Sequence, residues 1–370
     1  MEEVLLALIR GVVRKDSSVI PGEAEDSFDW QALYDMAWNQ GVAAFVWDML
    51  EPRVNAGEVK MPQDVLLKWA GASLGFEQRY LKYERAIARL ASFYASRGFR
   101  MLLLKGYGLS LDWPVPSHRP SGDIDIWLFG EYKKADAILA QEKGIRVDDS
   151  HHHHTTFGID GFLVENHYEF QNLHAHKCNA AIEERLLATV EPCPEIELPL
   201  KGRDGKEKKV KALLPSAQFN ALFLISHTGA HFAGESVSLR MLLDWAYFVK
   251  AHGSQIDWAA LQEDCRRWNR LRLLDAVNAI CVDRLGFDAV DFPITARDKA
   301  LEDRILGDIL HPEFSDEIPA GKGYFAAFLY RLRRWRANAW KNEIVYPEKP
   351  LPTFLRQVWA HLLKPASVKL

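Results

Sequence analysis

The chain has 370 residues, 48% of them hydrophobic and 26% charged, with a net charge of −4. That profile excludes wholesale disorder, collagen and a simple coiled coil, and the length suggests two or three domains at roughly 100–200 residues each. No run reaches the roughly 18 apolar residues that span a bilayer, so no integral membrane association is expected. The four cysteines, Cys178, Cys193, Cys265 and Cys281, form no CxxC pair, which points to a reducing cytoplasmic setting without a zinc ribbon.

The first residues, MEEVLLALIRGVVRKD, open on two acids and lack a small-residue cleavage site, so they read as a helix and not a signal peptide. Asp29 is placed to cap an apolar-periodic helix running to about Leu50. Residues 62–97 carry apolar side chains at helical spacing, and Gly98 closes that helix. The pattern then changes. Residues 99–104 form a short apolar run ended by Lys105-Gly106, consistent with a buried strand, and a short helix is expected over 107–111. Residues 122–128 (Gly-Asp-Ile-Asp-Ile-Trp-Leu) alternate acid and apolar with period two, a strand signal. Residues 131–143 read as a helix stopped by Gly144. Two extended runs, 155–159 and 162–170, flank Asp160-Gly161 and predict a hairpin, and a second is expected around Asp204-Gly205. From Pro215 onward helical spacing returns over 216–233, 237–252, 257–270, 271–285, 296–309, 321–341 and 351–363. The expected division is a helical region at 1–98, an α/β core at 99–213 and a helical domain with a basic tail at 214–370.

The sharpest chemical feature is Asp123 with Asp125. On a strand, residues i and i+2 share a face. Two adjacent carboxylates repel unless a cation lies between them or one is protonated. Hard divalent ions such as Mg²⁺ favour one or two such carboxylates plus substrate phosphates. The alternative is an exposed edge strand whose acids face water. Gly106, after a strand and before a short helix, would let backbone amides approach a phosphate. Lys105 adds a point charge, and Arg119 can reach a phosphate in a fork. Glu165 and His167 share a face of the second hairpin strand, and Glu165 is the natural third carboxylate if that strand lies beside Asp123. For His167 a satisfied or merely exposed histidine is the expectation.

Together, Leu103-Leu104-Lys105-Gly106, Arg119, Asp123-Ile124-Asp125-Ile126 and Val164-Glu165-Asn166-His167 resemble the uncharacterised nucleotidyltransferase family of the DNA polymerase β-like superfamily. The stretch His227, His231, Arg240, Leu243-Asp244 is similar to its C-terminal part. The broader superfamily carries Gly-Ser or Gly-Gly at the turn, where this chain has Gly106-Tyr107. The resemblance implies an α+β fold: a small mixed-sheet nucleotidyltransferase core flanked by N-terminal helices and a C-terminal helical domain. It also implies Mg²⁺ (or Mn²⁺) held by Asp123, Asp125 and Glu165, and a nucleoside triphosphate as substrate.

Other groups are weaker signals. His151-His152-His153-His154 reads as a solvated loop beside the cleft, since contiguous histidines cannot all face one metal in regular structure. His227 and His231 share a helix face without the Glu of a zinc protease helix, so packing is expected. Arg240 and Asp244 are expected to pair with each other or with the cleft wall. From Lys322 onward ten Lys/Arg face only Glu343 and Glu348, so that segment carries +8 and the remainder −12. Its Arg–Trp interleaving suits RNA or an anionic surface, or a helix with Leu332, Trp335 and Ala339 inward and its arginines solvated.

The functional expectation is a cytoplasmic, metal-dependent nucleotidyltransferase acting on an unknown acceptor: protein, RNA or small molecule. In it Lys105, Gly106 and Arg119 position phosphates, and Asp123, Asp125 and Glu165 are catalytic. The alternatives are a catalytically degenerate relative that binds nucleotide or a partner, and an RNA-binding helical protein.

Overall fold

The computed structural model describes residues 1–16, 28–201, 207–234, 236–314 and 323–349. Helix α1 (Glu2–Arg14) carries Glu2 and Glu3 in its first turn and Arg14 in its last, matching the helix dipole. Helix α2 (Trp30–Asn39) is capped by Asp29, whose carboxylate accepts from the Ala32 amide at 2.9 Å. The stretch expected as one helix to Leu50 breaks at Gly41, with φ of 68°, before α3 (Ala43–Asn55). Helix α4 (Gln63–Ala95) is continuous over 33 residues. Gly71 and Gly75 do not interrupt it.

Strand β1 (Leu102–Leu104) is shorter than expected, and α5 (Gly106–Ser110) follows it directly. Then come β2 (Ile124–Trp127), α6 (Tyr132–Lys143), β3 (His154–Ile159) and β4 (Phe162–His167). Asp160 and Gly161 both take positive φ, 51° and 84°, as a two-residue hairpin turn with matching twist requires. Helix α7 (Cys178–Thr189) departs from the sequence expectation: its inward face, Cys178, Asn179, Ile182, Glu183 and Leu186, includes two polar residues, so the apolar periodicity is faint. Strands β5 (Glu195–Lys201) and β6 (Glu207–Leu213) form the second hairpin. Its expected Asp204-Gly205 turn lies outside the described residues.

The six strands run in the order β3-β4-β2-β1-β6-β5. β2 pairs parallel with β4 and β1 parallel with β6, and the remaining pairs are antiparallel. The fold is therefore mixed α+β. Period-two alternation divides this sheet between two cores. Leu103, Ile124, Ile126 and Val164 pack with Tyr83, Ile87 and Leu90 of α4 and Leu139 of α6. On the opposite face Leu102, Leu104 and Trp127 join a larger core of helical residues. β2 is thus a central strand buried on both faces, not an exposed edge.

Helices α8 (Ala217–Gly234), α9 (Leu239–His252), α10 (Trp258–Arg267), α11 (Leu271–Asp283) and α12 (Lys299–Leu310) build that larger core together with α1 to α3. Gln40, at the end of α2, ties that helix to α12 and α9, donating to the Ile309 carbonyl at 2.8 Å and accepting from the Leu239 amide at 2.9 Å. The helix expected over 321–341 is two, α13 (Gly323–Ala337) and α14 (Ala339–Val345), divided at Asn338. The helix expected over 351–363 lies outside the described residues. Among the described residues no helix is long and apolar enough to cross a membrane.

Candidate functional site

A cavity of about 1510 Å³ opens between the sheet and the C-terminal helices. Lys105, Gly106, Arg119, Asp123, Asp125 and Glu165 all border it. The strand register sets the arrangement. Antiparallel pairing places Leu104 opposite Asp125, and parallel pairing places Asp125 beside Glu165 and Trp127 beside His167. Ile124 and Ile126 fix which face of β2 is apolar, so Asp125 must face the other way.

Asp125 is 3% exposed. It pairs with the Lys105 ammonium at 2.8 Å and with His167 Nε2 at 3.0 Å, both on Oδ1. Burial works to raise its pKa, but the Lys105 charge and the His167 hydrogen bond outweigh burial and hold the carboxyl well below the usual range. Burial likewise works to lower the Lys105 and His167 pKa values, and Asp125 more than offsets it, so both are raised. His167 Nε2 also lies 3.5 Å from Glu165. One ligand atom each from Asp125, Glu165 and His167 fall within 4.8 Å of one another. Asp123 is exposed at the cavity rim and stands outside that set. Desolvation by the walls, then repulsion from Asp125, raises its carboxyl above the ordinary value.

The turn before Asp123 is held by α4. Tyr83 donates its hydroxyl to the Asp123 carbonyl at 2.6 Å, and Arg79 donates to the Ser121 carbonyl at 2.9 Å. Tyr83 also gives the reason for Gly106. That residue has φ of 38°, and a Cβ there would sit 2.5 Å from the Tyr83 hydroxyl. The glycine thus answers a close side-chain approach as well as the strand-to-helix turn. Lys105 itself has φ of 50°, a rare conformation for a non-glycine residue.

Arg119 is committed elsewhere. Its Nε and Nη2 donate to the two Asp244 oxygens at 2.7 and 2.9 Å, and Asp244 also accepts from Arg240 at 3.1 Å and Trp113 Nε1 at 3.0 Å. The expected Arg240–Asp244 pair is present, but its main partner is Arg119, 125 positions away. This cluster ties the loop before β2 to α9.

The histidines depart most from expectation. The stretch before β3 is irregular, and it turns His153 and His154 into the cavity wall instead of leaving them solvated. His154 is 6% exposed and sits across from His167 in the sheet. Burial, then the neighbouring imidazoles, lowers the pKa to about 2 for His153 and about 3 for His154. His227 and His231 of α8 stack edge to face, 4.4 Å between ring centres, and also border the cavity. His167 is a buried, satisfied histidine and not an exposed one, and its partner is Asp125. The period-two pairing of Glu165 with His167 was the signal that could have identified it.

The basic helix is not simply a solvated face. Arg331, Arg334 and Trp335 of α13 border the cavity, while Arg333 and Arg336 are exposed. On the loop after β4, the Phe170 and Gln171 amides donate to Glu183 of α7 at 2.9 to 3.0 Å, fixing cavity-lining backbone.

Residues 26–286 match the sequence model of a family described as an uncharacterised nucleotidyltransferase. No curated protein matches the chain. A solved structure described as an antigenic nucleotidyltransferase-like protein from Paracoccidioides brasiliensis is similar at 14% identity and a TM-score of 0.32, over 58% of this chain and 94% of that one.

Proposed function

Because this chain belongs to the uncharacterised nucleotidyltransferase family, we propose that it moves a nucleoside monophosphate from a nucleoside triphosphate to an acceptor in a reaction dependent on Mg²⁺ or Mn²⁺. The observation that carries the reading is the parallel register of Asp125 with Glu165, two residues beyond Asp123, on the wall of one large cavity. The oxygen donor set suits a hard cation; after desolvation, repulsion from Asp125 raises the Asp123 carboxyl, and a cation would relieve that repulsion. When bound, such an ion supplies charge neutralisation at the phosphates. Asp123, Asp125 and Glu165 are its proposed holders.

In the proposed reaction an acceptor oxygen forms a bond to the α-phosphorus, and the bond to the pyrophosphate oxygen breaks. Glu165 takes the acceptor proton. Lys105, Gly106 and Arg119 border the phosphates, with Arg119 acting as a wall fixed by Asp244. The cavity exceeds the roughly 300–1,000 Å³ of common small-molecule pockets, which supports room for a second substrate. A cytoplasmic location and the three-part division at 1–98, 99–213 and 214–370 belong to the same proposal. The four unpaired cysteines support a reducing compartment.

One observation favours a second reading, a nucleotide-binding relative without transfer activity: Asp125 Oδ1 is already engaged by Lys105 and His167. Label from α-labelled triphosphates, incubated with protein, cell lysate and Mg²⁺ or Mn²⁺, separates the two. Transfer by the wild type and its loss in Asp123→Asn and Asp125→Asn is the expected result. Transfer that survives in either variant removes that aspartate from the reaction. Mg²⁺-dependent nucleotide binding without transfer for all four triphosphates selects the second reading.

A further inference from the structure

Beside the carboxylates lies a cluster that the transfer reaction does not use. His153, His154 and His167 each offer one ring nitrogen, and these lie within 4.8 Å of one another. Three features make the cluster more than a crowd of side chains. The His153 backbone is pinned, its carbonyl accepting from the Tyr168 and Glu169 amides at 3.0 and 3.2 Å. His154 begins β3 and is held opposite His167 by strand register. Both ring nitrogens of His154 and Nδ1 of His153 are buried without a hydrogen-bond partner among the described residues. Buried polar atoms almost always have partners, so an unpartnered ring nitrogen on each of His153 and His154, both bordering the cavity beside His167, marks a place suited to a ligand. His154 Nε2 stands 3.8 Å from a Glu165 oxygen, which places a carboxylate at the edge of the nitrogen set.

We infer that His153, His154 and His167 form a binding site for a borderline divalent transition-metal ion of the zinc class, distinct in chemistry from the carboxylate site for a hard cation. Imidazole nitrogens suit Zn²⁺, Co²⁺, Ni²⁺ or Cu²⁺, whereas Mg²⁺ takes oxygen. Zinc–nitrogen bonds of about 2.0–2.1 Å in a tetrahedron separate the nitrogens by about 3.3 Å, so the three nitrogens, now within 4.8 Å of one another, close toward that spacing when an ion binds. Glu165 is the nearest fourth ligand. His167 Nε2 meets Asp125 at 3.0 Å and its Nδ1 meets the Glu169 carbonyl at 3.4 Å, so an ion that takes His167 displaces one of these contacts and sits against the carboxylate site. The contiguous histidines that regular structure would send to opposite faces can act together because the backbone is irregular through His153.

The test uses the full chain without any added histidine tag, stripped with a chelator and kept in excess Mg²⁺. Titration with Co²⁺ is expected to give one tight equivalent with visible d–d absorption, displaced by Zn²⁺ and not by Mg²⁺. X-ray absorption at the zinc edge of the loaded wild type should report three imidazole ligands. The tight equivalent should disappear in His153→Ala/His154→Ala and persist in His151→Ala/His152→Ala and in Asp123→Asn. An oxygen-only shell or a single imidazole overturns the inference, and so does binding that survives the first double variant or vanishes in the second. The wild-type coordination shell decides the matter even if a variant folds poorly. Metal binding is read independently of label transfer, so failure of this site and failure of the transferase reading are separate results.

Discussion

Two buried aspartates sit on the walls of the same cavity and are satisfied in opposite ways. Asp244 receives four donated hydrogen bonds, two from Arg119 and one each from Arg240 and Trp113. Fixed planar guanidinium groups saturate it, and it links two distant parts of the chain. Asp125 is served by one ammonium and one imidazole, both on the same oxygen, with Glu165 and more imidazoles close by. Groups that can deprotonate, rotate or give way to a cation surround it. The first arrangement holds the cavity together; the second leaves charge and ligands available inside it. A buried ion pair is therefore weak evidence of function until its partners are named.

The comparison can be broken at several points. The largest effect is expected from Asp244→Ala, which leaves Arg119 and Arg240 without their carboxylate. Breaking a buried pair this way costs about 3–5 kcal/mol, read as a lower urea midpoint. Asp125→Asn should lose less, because Lys105 lies beside the cavity and water can reach it. An equal or greater loss in Asp125→Asn would end the distinction between a holding and an available carboxylate.

Acid should act on the available side. His153 and His154 have folded pKa values of about 2 and 3, against roughly 6.5 when unfolded. Between those limits the unfolded chain binds more protons, so stability falls as pH drops below about 6.5, by at most about 1.4 kcal/mol per pH unit for each histidine. The groups facing them are His151, His167, Glu165, Asp125 and Lys105. Asp125 has a depressed pKa, so its contribution is present above its ordinary value and is lost only at still lower pH. Chelator-treated protein followed by urea unfolding from pH 7 to pH 5 should show the decline, and His153→Ala/His154→Ala should flatten it. A profile equally steep in the double variant would assign the acid sensitivity elsewhere.

The smallest effect concerns the turn that presents Lys105. Gly106→Ala adds a Cβ 2.5 Å from the Tyr83 hydroxyl at a positive φ, which should cost about 1–3 kcal/mol. Tyr83→Phe in the same chain should recover the steric part and not the backbone part. If Gly106→Ala alone is neutral in thermal melting, the close approach is not what demands glycine here.

The strands of the site were legible because their signals are local. Ile124 and Ile126 alternate with Asp123 and Asp125, Val164 alternates with Glu165 and His167, and Asp160-Gly161 takes the backbone that a two-residue turn needs. Helix α7 and the split at Asn338 were not legible, because polar Asn179 and Glu183 share the inward face of α7 and helical spacing runs on through Asn338. The histidine run was misread for a related reason. Period-two reasoning applies only where the chain is extended, and the backbone before His154 is not.

By itself the sequence singled out the residues that could carry charge into a cleft, Lys105, Asp123, Asp125 and Glu165, and alternation fixed the face of Asp125 and Glu165 within their strands. Only the tertiary structure decided what they meet. Pairing β2 with β4 in parallel brings Asp125 beside Glu165 across 40 positions, and α9 brings Asp244 to Arg119 across 125. It also decided that His153 and His154 face inward. Those choices depend on strand register and on helices packed from both ends of the chain, contacts between residues far apart that no local spacing encodes.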